Sequence, residues 1–583
     1  MDWQRFHRFV PGLFVTVLAL TVTLLLMVRP PPWGYEPVQS LHIFSNLPLF
    51  AALYIVWLSL LLFLLWRVRG PWEAALLVSS FVLVHVGTVV LATSSGAGED
   101  WLKGADAVQI QQTGNLDFSG YSDFPALAIV GAFLATVTKV DILSLRTPIL
   151  LIWLVALSTL LLVGYSRLFR SFSLAALAVL LAIQSNLMLA RFYLHPAQMG
   201  VLLVVALLGF LLGREHPLTP RERLILILFV AGLTVTHFVS SVVGVLIIAG
   251  YYLEQRWRRR PGVVSQVTVT LGLVLVAAWA IYWTTQTFPS LVAYFPKIDD
   301  RFRQGVAFFY AQRVARANTE GLPPWVTVVQ TFWWVAIYLA GGVLALRSLL
   351  LRNRLSVATP SYAGAYVLLA AVVVVASIVS TGGYDFYRLI VYGSYLAAPL
   401  VVHFLLAGPR AKILPIAVSS AFLVLSFPTL LAHNTAISQQ STHPSEVAAA
   451  QFLSRAVAGK ENVTRLFGGQ FGPDRVNYYA PGLIPNNVNF PKQAADILDV
   501  EEGRALWRSH VENFVEQADE GRDAVFLFDY QDVVFWRHIF SLPENDPLWS
   551  QVREGLSEAD LFYDGGRVQF YGSIPTSGRA ASR

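Results

Sequence analysis

The sequence predicts an α-helical polytopic membrane protein, with about thirteen transmembrane helices ahead of a small soluble α/β domain. Three observations carry this. Hydrophobic residues make up 55% of the chain, charged residues only 13%, and the mean hydropathy is +0.56, whereas soluble domains are about 45–50% apolar and 25% charged. Apolar runs of about 20 residues, enough to cross a hydrocarbon core, recur from Phe9 to Leu431 and then stop. Arg and Lys collect in alternate short loops between those runs, as the positive-inside rule requires.

The first run, Val10 to Met27, is too long for a signal-peptide core. It enters Arg29-Pro30-Pro31-Pro32 with no small-residue cleavage site, so it reads as a retained helix. Helices are expected near residues 10–28, 45–65, 74–93, 148–165, 172–188, 197–213, 222–237, 239–253, 264–284, 326–346, 361–380, 388–406 and 412–431. Alternate loops then hold Arg5 and Arg8; Arg67 and Arg69; Arg167 and Arg170; Arg214, Arg221 and Arg223; Arg256, Arg258, Arg259 and Arg260; Arg347, Arg352 and Arg354; and Arg410 and Lys412. That side is cytoplasmic, together with the N-terminus. The register holds only if the apolar stretch Phe124 to Val137 stays on one side as a juxtamembrane or re-entrant segment. It also needs two helices, not one, across Thr236-His237-Phe238, since a single one would put Arg256 to Arg260 outside. Residues 1–432 thus form the membrane domain, with long outward loops at 94–147 and 285–325, and 433–583 form the extracytoplasmic domain.

The net charge of +6 lies mostly in these orienting loops, so nucleic acid is not an expected partner; membrane lipids are. With no Cys, thiol nucleophiles, disulfides and Cys-ligated metals are excluded. In the C-terminal part, helices are expected at 445–457 and 500–518 and strands at 463–468 and 524–529, with a hairpin through Asp564-Gly565-Gly566. No P-loop, nucleophile elbow or dinucleotide fingerprint occurs.

The first long outward loop carries the densest chemistry: Gly98-Glu99-Asp100-Trp101-Leu102-Lys103-Gly104-Ala105-Asp106, then Gly114-Asn115-Leu116-Asp117 and Tyr121-Ser122-Asp123-Phe124-Pro125. Trp101, Ala105 and Val108 fall one helical turn apart, with Lys103, Asp106 and Gln109 opposite, as on a helix resting at the bilayer surface. Carboxylates there can act as a general base toward a hydroxyl or amine, or hold a divalent cation. They can equally solvate a helix start, where acidic residues suit the dipole.

A helix, an acidic pair, a glycine about fifteen residues on, and Phe-Pro opening an apolar stretch together resemble the GT-C class of polyprenyl-phosphate-dependent integral-membrane glycosyltransferases, which includes protein O-mannosyltransferases, lipid A aminoarabinose transferases and oligosaccharyltransferases. The likeness extends to Arg191-Phe192-Tyr193-Leu194-His195-Pro196, to Gly382-Gly383-Tyr384-Asp385-Phe386-Tyr387-Arg388 and to the closing Ala559-to-Tyr571 segment. This resemblance implies a GT-C-like fold and a catalytic carboxylate at Asp100 or Glu99, with Asp106, Asp117, Tyr121 and Asp123 helping to bind substrate. Family members usually show Asp before Glu or a lone Asp, so the order Glu99-Asp100 leaves the base unassigned within the pair. No Trp-Trp-Asp motif occurs, so single-sugar transfer is expected in preference to transfer of a whole oligosaccharide.

Further candidates lie in the other outward segments. The 285–325 loop sets Lys297, Arg301, Arg303, Arg313 and Arg316 among aromatics, against the usual charge bias. Arg suits bidentate capture of a lipid phosphate, although such a loop also fits a surface helix on anionic headgroups. Asp385 and Arg388 either orient phosphate or pair with each other across a helical turn. His195 precedes Pro196 at an outward helix end, as an acceptor-site hydrogen bonder, a metal ligand or a turn residue. Of the histidines in or near spans, His85, His237 and His403, His237 is the one placed to reach the outer face.

The function so implied is inverting transfer of a sugar from a polyprenyl-phosphate donor to a lipid, glycan or protein acceptor, with or without a divalent cation. Two rivals use the same architecture. A transporter or flippase of lipid-linked sugars predicts mid-bilayer ionisable groups, broken helices and internal repeats, and no repeat is evident. A lipid-diphosphate-dependent glycan polymerase or ligase differs in the donor's phosphate count.

Overall fold

The structure is a computed structural model of the chain. It describes residues 47–87, 90, 98–115, 124–169, 171–186, 194–214, 216–259, 262–284, 324–350, 362–379, 384–406, 421–422 and 425–426, and, beyond these, 444–457, 465–468, 487–489, 500–519, 524–529, 547–557, 561–564 and 568–572. The helix expected at 10–28 lies outside these residues, as does most of 412–431.

Helices run in the order α1 (Leu47–Leu65), α2 (Pro71–Val82, continued by a π-turn, Leu83–Gly87), α3 (Gly98–Thr113), α4 (Ala126–Thr138), α5 (Ile142–Phe169), α6 (Phe172–Gln184), α7 (Pro196–Leu211), α8 (Pro220–Thr236), α9 (Phe238–Arg258), α10 (Gln266–Tyr282), α11 (Pro324–Leu350), α12 (Ala363–Val379) and α13 (Tyr384–Leu406). Their starts follow from local chemistry. Ser171 accepts the Leu174 N–H at α6, and Ser265 that of Thr268 at α10. Thr219 and Glu222 form a reciprocal capping box around Pro220 at α8. Asp141 Oδ2 accepts the N–H groups of Leu143 and Ser144 at 3.1 Å each, which starts α5 six residues before the apolar run does. Among the described residues, α5 and α9 are long and apolar enough to cross a membrane.

The break between α8 and α9 is a single residue. His237 is extended (φ −165°, ψ 128°), ending one helix and capping the next. The two-helix reading of this region holds.

The helices pack through small residues where backbones meet. A Cβ at Gly250 on α9 would lie 2.2 Å from the Ala365 Cα on α12, so only glycine permits this crossing. Beside it the Glu254 carboxylate forms an ion pair with Arg258, 2.8 Å from its Nε, and accepts the Gly364 N–H at 2.7 Å, while Arg258 Nη2 donates to Ser348 O (3.2 Å) and Oγ (3.0 Å). Tyr165 donates to the Tyr395 carbonyl at 2.6 Å, joining α5 to α13. Arg167, at the end of α5, donates to the Gly209 carbonyl near the end of α7. The C-terminal ends of α5, α7 and α9 thus lie with the Arg-rich turns, and the starts of α7 and α9 form the distal end.

Along α3, Gly104 and Ala107 are buried, while Ala105 and Val108 of the face expected at the bilayer surface are partly buried. Ala107 packs on Ala132 and Ala135 of α4, and a Cβ at Gly131 would come 3.3 Å from that of Ala107. Small residues on both helices let α3 lie on α4, so its surroundings are protein as well as interface. The stretch 124–137 is accordingly a helix of its own, α4, with Ile129, Phe133 and Val137 exposed on the side away from α3.

The C-terminal elements are α14 (Pro444–Val457), β1 (Arg465–Gly468), β2 (Asn487–Asn489), α15 (Val500–Asp519), β3 (Ala524–Asp529), α16 (Pro547–Leu556), β4 (Leu561–Asp564) and β5 (Val568–Gly572). The sheet order is β2-β1-β3-β5-β4, parallel across β2, β1 and β3 and antiparallel through β5 and β4. Trp507 and Phe514 of α15 pack with Trp549 and Phe526. β2 and α16 were not expected: Asn-Val-Asn is too short and polar to show strand alternation.

Candidate functional site

At the distal end two histidines do the same job on neighbouring helices. His195 caps α7, its Nδ1 accepting the Ala197 N–H at 2.9 Å, with Pro196 in the first helical position where no N–H is needed. His237 caps α9, its Nδ1 lying 3.3 Å from the Ser240 N and 2.9 Å from the Ser240 Oγ. Both rings are buried, and their centroids are 5.9 Å apart at 69°. An N-cap normally takes a hydroxyl or carboxyl oxygen; here ring nitrogens take that place.

Two other segments converge on the pair. Phe124, which with Pro125 opens α4, lies 6.4 Å from the His237 ring. Ser240 Oγ is 2.5 Å from the hydroxyl of Tyr392 on α13, and both side chains are buried. On the third side stands Gly200 of α7, where a Cβ would meet the Ser240 Oγ. Gln198, Thr234, Thr236 and Ser241, all buried, line the same end.

The candidate residues divide accordingly. The structure brings His195, His237 and the Phe124-Pro125 landmark together. Asp385 and Arg388 lie in the first turns of α13, Arg388 one turn ahead of Tyr392. Glu99 and Asp100 occupy the first turn of α3, and Asp106 is half-buried on the same helix. Asp117, Tyr121, Asp123, Lys297, Arg301, Arg303 and Arg313 lie outside the described residues. His85 sits in the π-turn, stacked on Phe81 and 2.8 Å from the Tyr54 hydroxyl. It faces the bundle interior, as expected for an ionisable group there. Half-buried His403 is near the other end of α13, beside Phe169.

Sequence reasoning missed Ser240, Tyr392 and Arg146. Arg146 is fully buried on α5, and its Nη1 donates to the Val90 carbonyl at 3.3 Å. A signal for it existed, since a basic residue at the end of an apolar helix opposite its Arg-rich turn goes against the charge bias. Among the described residues no three His, Asp or Glu side chains gather as a metal set.

Comparison with solved structures finds the fold in the oligosaccharyltransferase of Archaeoglobus fulgidus, crystallised in complex with Zn and sulfate. The identity is 13% over 79% of this chain and 68% of that one, with a TM-score of 0.50. ArnT from Cupriavidus metallidurans bound to undecaprenyl phosphate aligns over 85% of this chain and 98% of its own, at 13% identity and a TM-score of 0.44. For apo ArnT the figures are 85%, 97%, 14% and 0.38. No family model and no curated protein matches the sequence. The oligosaccharyltransferase likeness agrees, at the level of the fold, with the GT-C resemblance read from the sequence motifs.

Proposed function

We propose that the chain is an inverting GT-C glycosyltransferase, which moves a sugar from a polyprenyl-phosphate donor to a lipid, glycan or protein acceptor at the outer face of the cell membrane. The observation that carries this reading is the convergence at one end of the bundle: Phe124-Pro125, His195, His237 and, through Ser240, Tyr392 of α13, distant in sequence, meet there within a fold shared with an oligosaccharyltransferase. In the full reading thirteen helices span the membrane. Loops 94–147 and 285–325 and residues 433–583 then face outward, on the side opposite the Arg-rich turns.

The chemistry is a displacement at the anomeric carbon. Asp100 or Glu99 takes the acceptor proton as the acceptor oxygen or nitrogen bonds to that carbon. The bond from carbon to phosphate oxygen breaks, and polyprenyl phosphate leaves with the electron pair. Phosphate is a good leaving group, so the protein must supply a base, positioning and charge neutralisation. Lys297, Arg301, Arg303, Arg313 and Arg388 meet the phosphate; Asp106, Asp117, Tyr121, Asp123 and Asp385 orient sugar and acceptor, with His195 and His237 beside them. Adjacent carboxylates at the start of α3 are hard oxygen donors that suit a divalent cation, which would neutralise phosphate charge when bound.

Asp100→Asn and Glu99→Gln, purified separately and checked for unchanged melting, test this in a transfer assay with a polyprenyl-phosphate sugar. Loss of a positioned base lowers the rate by about 10²–10⁴, and Asp100→Asn is expected in that range, with Glu99→Gln impaired. Near wild-type rates in both would make the acidic pair a solvated helix start and remove the proposed active site.

A further inference from the structure

The capping geometry restricts what His237 can do in that reaction, an inference that rests on the function proposed above. A backbone N–H can only donate, so the Nδ1 that caps Ser240 must be unprotonated, and the neutral ring then carries its proton on Nε2. The Ser240 hydroxyl, 2.9 Å from the same Nδ1, must point its proton at it too. Tyr392, 2.5 Å from the Ser240 Oγ, is left to donate to that oxygen. The chain therefore has one direction: Tyr392 O–H to Ser240 Oγ, Ser240 O–H to His237 Nδ1. Protonating His237 at Nδ1 would set two donors against each other and uncap α9. Gly200 of α7 leaves the space that Ser240 occupies, since a Cβ there would meet its Oγ.

We infer that Ser240 and Tyr392 are positioning residues, which hold His237 as a hydrogen-bond donor through Nε2 and bar it from acting as a base. In the proposed reaction the ring then meets a substrate oxygen, such as one on the sugar or the phosphate. Proton removal is left to the acidic pair.

Amide replacements separate the possible roles, because glutamine offers an N–H near the position of Nε2 while asparagine offers an oxygen near that of Nδ1. If His237 is a donor, His237→Gln retains measurable transfer. His237→Asn keeps the cap and loses about 10² in kcat, the usual cost of one catalytic donor. Full activity in His237→Asn would make the residue a cap alone, and equal, complete loss in both variants would make it a base; either result overturns the inference. Tyr392→Phe removes one neutral hydrogen bond and is expected to lower kcat about fivefold with the donor KM unchanged. A raised KM with unchanged kcat would place Tyr392 in ground-state binding instead.

The tautomer is measured without any substrate, by nitrogen NMR of the histidine-labelled full chain in nanodiscs, with the His237→Asn spectrum identifying the signal. Wild type should show the Nε2–H form alone, and so should Tyr392→Phe, in which the Ser240 N–H still caps Nδ1. A wild-type Nδ1–H signal overturns the positioning claim even if transfer fails for every variant. Absence of transfer by the wild-type chain with an intact Nε2–H signal would instead count against the proposed function.

Discussion

Removing the carboxylate of Glu254 separates what its ion pair with Arg258 contributes from what burying the pair costs. Glu254→Gln keeps an acceptor for the Gly364 N–H but strands the guanidinium, in a place where both side chains are 5% exposed or less. Breaking a buried pair from one side costs about 3–5 kcal/mol, much of it the unpaired charge. Both bonds from Arg258 Nη2 to Ser348 survive, so the lower end, about 3 kcal/mol, is expected. Changing both residues, Glu254→Leu with Arg258→Met, removes the desolvation along with the attraction and should fall within about 1 kcal/mol of wild type or above it. Unfolding of the purified chain in mixed micelles, followed against rising denaturing detergent, gives these differences. Glu254 lies about 21 Å along α9 from Ser240, so folded Glu254→Gln should keep the wild-type transfer rate. A double variant less stable than Glu254→Gln, or a single variant costing under about 1 kcal/mol, would refute the reasoning.

Gly250→Ala places a methyl group against the backbone of α12, where no side chain can yield; a loss of about 1–3 kcal/mol is expected in the same unfolding assay, and a neutral result would show that α9 and α12 separate freely. Single cysteines introduced at Ser95 and Ser573 of this cysteine-free chain should both react with an impermeant maleimide in intact cells; labelling of only one would break the proposed register. Replacing Arg301 and Arg303 together by Ala should weaken binding of the polyprenyl-phosphate donor while costing under about 0.5 kcal/mol in stability for each exposed position. Unchanged donor affinity would remove the phosphate clamp.

What was legible in the sequence is what local rules control. Hydrocarbon-length runs located α1, α2 and α5 to α13 to within several residues, except where a cap extended them, as Asp141 does for α5. The break at His237 was legible because the charges at Arg256 to Arg260 required it. The site was legible only where a family-like motif marked it: Phe124-Pro125 and His195-Pro196 were singled out, and they do approach His237. Ser240 and Tyr392 were not, since nothing in a helical period links residues 152 positions apart. The contact of α3 with α4 was not legible for a related reason: periodicity favours large residues, whereas this contact is made by small ones, Ala107 against Ala132 and Ala135.

The crossing of α9 and α12 at Gly250 bears on insulation. With Gly250 set against the Ala365 backbone, no corridor as wide as a methylene chain or a file of water is left between these two helices at that level. Glu254 and Arg258 beside it carry opposite charges, so the seam presents no net charge to the field across the bilayer. An enzyme of the proposed kind handles lipid-borne substrates at one leaflet without opening the membrane to ions or letting a lipid slip to the other side. At this seam, tight backbone contact and paired charge keep that barrier intact.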